Sequence, residues 1–311
     1  MYHRNQMQKL LLLLAPALML FACGEKPAIS DPPESTDAFP VTDAFRYEAG
    51  EPEIGEKSDT LCEISFYRDD LKIAGQLYLP EGEGPFPLAV ISSGQTASCS
   101  YYADEARYFA GNGCACLIFD FTGAVARSMS SGELQDSSVL TEAADLNVIL
   151  DSLPSLPKID TGHVFLWGHS LGGLVSTYVG CSRPEDISGM ILIEPSYSYP
   201  DYSREHDPDL SQVPEVIYDT SLYNTVVGKQ FVIDMQSVDI FSMMPKCDKD
   251  VLIFVGTENC LGSSIPEYFE RAEKTFPSAE VVTVQGADHF FQGEHGQKAA
   301  EQSLAFIRAH L

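Results

Sequence analysis

A chain of 311 residues with 44% hydrophobic and 21% charged residues is long enough to bury a full α/β core and has ordinary globular composition. Nineteen Lys and Arg against 45 Asp and Glu give a formal charge of −26, which argues against nucleic acid and anionic lipid surfaces as partners. No Gly-rich phosphate loop, metal-spaced His/Cys cluster, heptad run or internal repeat is visible, so neither a metal nor a cofactor is expected.

Residues 1–22 open with Arg4 and Lys9, continue through an apolar run from Leu10 to Phe21, and end at Ala22 before Cys23. This layout is too short for a stop-transfer helix and fits a secretory signal. The cysteine after a small residue resembles the bacterial lipoprotein box. That resemblance implies that Cys23 becomes the lipidated N-terminus of an exported protein, held to a membrane through its lipid alone. Residues 23–58 are rich in Pro, Glu, Asp, Ser and Thr without apolar periodicity, which reads as a flexible acidic tether. The catalytic domain is then expected over residues 59–311.

Within that domain Pro87-Leu88-Ala89-Val90-Ile91-Ser92 is a buried strand that ends in the turn Ser93-Gly94-Gln95. A second strand, Cys114 to Phe119, places Cys114 and Cys116 on one side as packing residues and runs into the loop Asp120 to Ser128. Ser137-Ser138-Val139-Leu140-Thr141-Glu142, followed by Asp145, opens a helix. Next, Val164-Phe165-Leu166-Trp167 leads into Gly168-His169-Ser170-Leu171-Gly172 and a helical run from Leu174. Strand, tight turn and helix with serine at the apex make a nucleophile elbow, and the two flanking glycines let strand and helix approach closely. Ser170 is therefore the candidate nucleophile. Amides of Gln95, after the earlier strand, and of Leu171, after the nucleophile, are the expected oxyanion donors.

The strand Met190 to Ile193 ends at Glu194, and from about 196 to 245 the strand–helix rhythm is lost, as in a cap insertion after the sixth strand. Tyr197, Tyr199 and Tyr202 at its start could line an aromatic subsite or pack the cap. The rhythm resumes with Val251 to Val255 and the turn Gly256-Thr257-Glu258-Asn259. A last strand, Val281 to Val284, precedes Gly286-Ala287-Asp288-His289-Phe290 and a closing helix. His289 has the placement of a general base, whereas His163, His169, His206, His295 and His310 read as solvated or packing residues. Seven cysteines remain beyond Cys23, so complete pairing is impossible; Cys247 and Cys260 flank an extended strand, a poor geometry for a bridge. Mostly free thiols are expected.

From about Cys62 to Leu311 the chain resembles the α/β-hydrolase superfamily, and in it serine esterases similar to bacterial cinnamoyl (feruloyl) esterases. The loop Asp120-Phe121-Thr122-Gly123, the helix start at Ser137, the elbow and the Gly-Ala-Asp-His-Phe box carry the likeness. It implies a mainly parallel central sheet flanked by helices, a cap, and ester hydrolysis of a small-molecule substrate through an acyl-enzyme. The sequence departs from the pattern at Ser93, where the family has histidine, and at Val125, near the family's second loop glycine. The position of the triad aspartate is Asn259. A carboxylate there fixes the histidine tautomer and stabilises the imidazolium. Glu194, rigidly placed at a strand end, is the favoured substitute; Glu258 and Asn259 itself are the alternatives. Peptidase or amidase action on the same fold is one competing reading. A surface-tethered binding protein with weakened catalysis, suggested by Asn259, is the other.

Overall fold

The computed structural model describes residues 47–126, 128–219, 225–259 and 265–311. The signal segment, Cys23, most of the expected tether and Cys260 lie outside the described residues. In chain order the strands are β1 (Ala49–Lys57), β2 (Leu61–Arg68), β3 (Leu71–Tyr78), β4 (Phe86–Ser92), β5 (Ala115–Phe119), β6 (Ile159–His169), β7 (Gly189–Ile193), β8 (Val216–Asp219), β9 (Thr225–Gly228), β10 (Asp250–Gly256) and β11 (Ala279–Val284). The helices are α1 (Ala103–Gly111), α2 (Val139–Ser152), α3 (Leu171–Ser182), α4 (Tyr199–His206), α5 (Lys229–Ser237), α6 (Ile240–Met243), α7 (Pro266–Thr275) and α8 (Glu294–Ala309).

Nine strands form one sheet in the order β1-β2-β3-β5-β4-β6-β7-β10-β11. The first three ladders are antiparallel, and from β5 to β11 every pair is parallel. The parallel strands at the centre are near-continuous apolar runs because both their faces are covered. On one face Phe109 of α1 and Ala300, Leu304 and Ile307 of α8 pack against Phe165, Ile191 and Phe254; on the other, α2, α3 and α7 join a larger core with Leu166, Leu192 and Ile253. This three-layer arrangement is the α/β-hydrolase fold that the resemblance implied.

One boundary differs from the sequence reading. The acidic stretch read as tether up to residue 58 ends in β1, an edge strand paired with β2. An edge strand needs little apolar content and tolerates proline, so Glu51, Pro52 and Glu53 hid it; the register shifts at Gly50/Glu53 mark the irregularity. With this added strand the insertion follows β7 in chain order. It comprises α4, the hairpin of β8 and β9, α5 and α6, and it packs partly against the larger core through Tyr197, Phe231, Met235 and Phe241.

The loop after β5 is held without the second glycine of the family pattern. Asp120 accepts the Cys99 N–H at 2.6 Å and the Ser128 hydroxyl at 2.7 Å. Buried Asp145 takes Arg68 Nε at 2.6 Å and the Thr122 N–H at 2.7 Å. These bonds tie the loop to the β4 turn on one side and to α2 on the other, so Val125 does not have to provide the bend.

Cys62, Cys99, Cys114, Cys116, Cys181 and Cys247 are free thiols, and Cys114 and Cys116 are buried in the α1/α8 core. At the elbow, a Cβ on Gly172 would lie 2.2 Å from the Ser92 carbonyl oxygen and 2.4 Å from that of Ser93. These are backbone atoms at the end of the central β4 and in the turn after it, with no flexible side chain to yield. Gly172→Ala is therefore expected to destabilise the protein by about 1–3 kcal/mol, seen as a melting midpoint lowered by several degrees; an unchanged midpoint would contradict this packing.

Candidate active site

Ser170 takes φ 55° and ψ −120°, a conformation unfavourable for a side chain with a Cβ. The surrounding backbone imposes it. The Ser170 N–H donates to the Ile193 carbonyl at 2.9 Å, and the Ser170 carbonyl accepts from Ser196 N at 3.1 Å and from Gly173 N at 3.0 Å. The elbow is thus fixed to the end of β7 and to the first turn of α3, with Oγ above the carboxyl ends of the strands, where open α/β sheets bind ligands. Ser170 Oγ lies 2.9 Å from His289 Nε2 and 3.4 Å from Ser196 Oγ.

His289 sits in the loop after β11, and that loop is stitched to the turn after β10. Glu258 N–H donates to Ala287 O at 2.9 Å, Thr257 N–H to Val284 O at 3.2 Å, and Gly286 N–H to Thr257 Oγ1 at 2.9 Å. Asp288 Oδ1 accepts the N–H groups of Phe290 at 3.0 Å and Phe291 at 3.2 Å, folding the chain back over the site. This stitching brings Asn259 Nδ2 to 3.0 Å from His289 Nδ1. For Nε2 to accept the serine proton, Nδ1 must carry its own hydrogen and donate it. A half-turn of the Asn259 carboxamide places Oδ1 there as the acceptor with no change of shape.

The three candidates for the acid therefore have different surroundings. Asn259 lies against the ring. Glu194, favoured in the sequence reading, is fully buried at the end of β7 with φ 48°, and its Oε1 accepts the Gly256 N–H; its carboxylate braces β7 against β10. Glu258 is exposed. A strand terminus does face the site, as expected of Glu194, and one of its carboxylate oxygens, Oε1, accepts the Gly256 N–H. Burial, with His169 adding to it, depresses the His289 pKa to about 3, so the ring is neutral throughout the physiological range.

Gly94 and Leu171 lie beside the serine, where the oxyanion donors are expected. A Cβ on Gly94 would lie 3.1 Å from Ser170 Cβ, so the β4 turn that carries Gln95 runs directly beside the nucleophile. Leu171 is the first residue of α3, where N–H groups have no partner within the helix and the helix dipole favours negative charge.

His169 has a role that the sequence did not disclose. It is buried, with Nε2 at 2.7 Å from the His289 carbonyl and Nδ1 at 2.7 Å from Tyr102 Oη. A carbonyl only accepts, so Nε2 carries the hydrogen and Nδ1 accepts from the tyrosine. The Tyr102 hydroxyl in turn receives the Gly94 N–H at 3.4 Å. Burial lowers the His169 pKa to about 4, which keeps it neutral in this bridge between the histidine loop and the β4 turn. The variable position of an elbow pattern gave no hint of this. Its only signal was a polar residue where an inward-facing strand position is expected.

The family model described as "Serine aminopeptidase, S33" matches residues 85–282, and the chain belongs to this family of α/β hydrolases. A curated relative, Esterase FrsA of Escherichia fergusonii, is 35% identical over 124 residues, 40% of this chain and 28% of its own length. The chain thus matches little more than a quarter of that relative. Among solved structures, Est1E from Butyrivibrio proteoclasticus with ferulic acid bound aligns with TM-score 0.70 at 20% identity, covering 78% of this chain and 96% of Est1E. A monoacylglycerol lipase from Paleococcus ferrophilus aligns with TM-score 0.59 at 18% identity, over 78% of this chain and all of the other. These likenesses show the fold, and the family places the chain among serine hydrolases and esterases.

The neutral partner at His289 has a measurable consequence. A carboxylate at that position favours the imidazolium and raises the histidine pKa, so Asn259→Asp should move the acidic limb of the kcat/KM profile to higher pH. It should also raise the plateau rate, because the developing imidazolium then faces a negative charge. If Glu194 supplies that charge instead, Glu194→Gln lowers kcat by roughly 10²–10⁴-fold at constant KM, and Asn259→Asp leaves the limb in place.

Proposed function

We propose that this protein hydrolyses carboxylic esters of small molecules through an acyl-enzyme on Ser170. The observation that carries the reading is the 2.9 Å approach of His289 Nε2 to Ser170 Oγ at a strained elbow. In the first half-reaction His289 takes the hydroxyl proton as Oγ attacks the acyl carbon. The carbonyl oxygen becomes an oxyanion received by the N–H groups of Gln95 and Leu171. His289 then protonates the departing alcohol. Water repeats the sequence in reverse, with His289 again as base, and releases the acid.

Asn259 orients the ring without charging it, which makes His289 a weaker base than one paired with a carboxylate. An ester carbon is more electrophilic than an amide carbon, so ester cleavage tolerates that loss better. The names of FrsA and of the ferulate-bound Est1E agree with an ester substrate. The family's description as serine aminopeptidases makes aminoacyl amides the competing class.

Ser170→Ala is expected to abolish turnover of p-nitrophenyl acetate with an unchanged circular dichroism spectrum. His289→Ala should cost nearly as much, about 10⁴-fold or more, because the two residues act as one unit. A panel of alkyl and aryl esters beside aminoacyl p-nitroanilides then decides the class. Higher kcat/KM on the esters supports the proposal, and turnover confined to the anilides overturns it.

We also propose that the chain is exported and held to a membrane by lipid on Cys23. The layout of residues 1–23 supports this. Native protein should partition into detergent, and Cys23→Ser should abolish the partition; wild type left wholly in the aqueous phase after export would exclude the anchor.

A further inference from the structure

Ser196 stands in the short connection between β7 and α4, and the chain on both sides of it is held. Glu194 N–H donates to the Phe254 carbonyl at 2.9 Å. A Cβ on Gly173 of α3 would lie 2.9 Å from Pro195 Cβ, so the proline packs against the helix that follows the nucleophile. Ser196 N–H donates to the Ser170 carbonyl at 3.1 Å, and the Ser196 carbonyl accepts from Tyr199 N at 3.1 Å. Tyr197 is buried, with its hydroxyl 2.9 Å from Thr177 Oγ1. The Ser196 side chain is fixed by these neighbours: it is 2% exposed, and its Oγ lies 3.4 Å from Ser170 Oγ.

The direction of that contact follows from the rest of the site. The Ser170 hydroxyl has one hydrogen, and the base that receives it is His289 Nε2, 2.9 Å away on a ring that burial keeps neutral. With its hydrogen so directed, Ser170 Oγ can only accept from Ser196, and the Ser196 hydroxyl is the donor. At 3.4 Å the bond is long for two hydroxyls, as catalytic hydrogen bonds commonly are before a substrate binds. Among the described residues no basic group bonds to Ser196 Oγ, so this serine is a donor and not a second nucleophile.

A donor aimed at the nucleophile acts differently in the two half-reactions. During acylation Ser170 Oγ begins as an alcohol, a good acceptor, and ends as the single-bonded oxygen of an ester, whose lone pair is drawn into the carbonyl. The bond from Ser196 weakens along this path. During deacylation the change runs the other way. Water attacks the acyl carbon and yields a proton to His289; the bond from carbon to Oγ breaks, its electron pair stays on Oγ, and His289 returns the proton to that oxygen. The Ser196 hydroxyl faces the atom on which the charge collects and keeps its own hydrogen throughout. An interaction stronger in the transition state than in the state before it accelerates the step. Resting on the acyl-enzyme reading above, we propose that Ser196 is a further catalytic residue, a hydrogen-bond donor to Ser170 Oγ that speeds release of the acyl group and leaves its capture unaided.

The test separates the two half-reactions with p-nitrophenyl acetate. Acylation is read from kcat/KM, and deacylation from the decay of acetyl-enzyme after the substrate is exhausted, by rapid quench and intact-protein mass spectrometry. Ser196→Ala should slow the decay by about tenfold, the worth of one hydrogen bond, while kcat/KM stays within about twofold of wild type and the acylated fraction during turnover rises. Ser196→Cys, nearly the same in shape but with a weak S–H donor, should shift the same way, and it carries the test should the alanine variant prove unfolded by circular dichroism. A merely structural role for Ser196 would misplace Ser170 and lower kcat/KM together with the decay; that result overturns the proposal, as does an unchanged decay in a folded variant. Acetyl-enzyme that forms and decays in the variants as in wild type leaves the hydrolase reading standing and removes the role of Ser196, whereas wild type that never carries an acetyl group on Ser170 overturns both.

Discussion

The backbone of Ser170 is the constraint on which the rest of the site depends. Its φ of 55° is unfavourable for a residue with a Cβ, and it persists because β7, α3 and the β4 turn leave no other course for the chain. Gly172 lets α3 lie against the carbonyls of Ser92 and Ser93, and Ile193 and Ser196 hold the serine's own amide and carbonyl. That geometry lifts Oγ toward His289 and leaves the first amide of α3 facing the place where negative charge would develop. Strain in one residue, supported by a rigid parallel sheet, thereby places the Ser170 hydroxyl and the first amide of α3 together.

Around this point two networks place the histidine. One consists of main-chain bonds between the turns after β10 and β11, and it delivers Asn259 to the ring. The other runs from Gly94 through Tyr102 and His169 to the carbonyl of His289. Because His169 is neutral and buried, its two nitrogens have fixed donor and acceptor roles, and the chain of bonds has a single sense. The turn carrying Gln95 and the loop carrying His289 are thus joined through one side-chain pair. Glu194 works one layer below, holding β7 and β10 at the spacing the turns require.

Much of this was legible in the sequence, for identifiable reasons. The elbow, the final histidine and the apolar parallel strands are local patterns whose chemistry and period reside in adjacent residues, and each was found where expected. The acidic strand β1 was not, since an edge strand is specified by backbone pairing rather than by apolar alternation. The acid could not be chosen from sequence because Glu194 and Asn259 stand at the ends of neighbouring strands. The structure brings Asn259 Nδ2 to 3.0 Å from His289 Nδ1, while Glu194 Oε1 accepts the Gly256 N–H. The bridge through His169 joins segments far apart in the chain, and no local pattern encodes it.

Ser170 Oγ is the atom proposed to take the acyl group. Intact-protein mass spectrometry after reaction with a fluorophosphonate, followed by peptide mapping, measures this most directly. A single adduct per chain on the peptide that contains Ser170, absent in His289→Ala over the same interval, is the predicted result. An adduct on another residue, or none under conditions where the protein still cleaves an ester, would contradict the account.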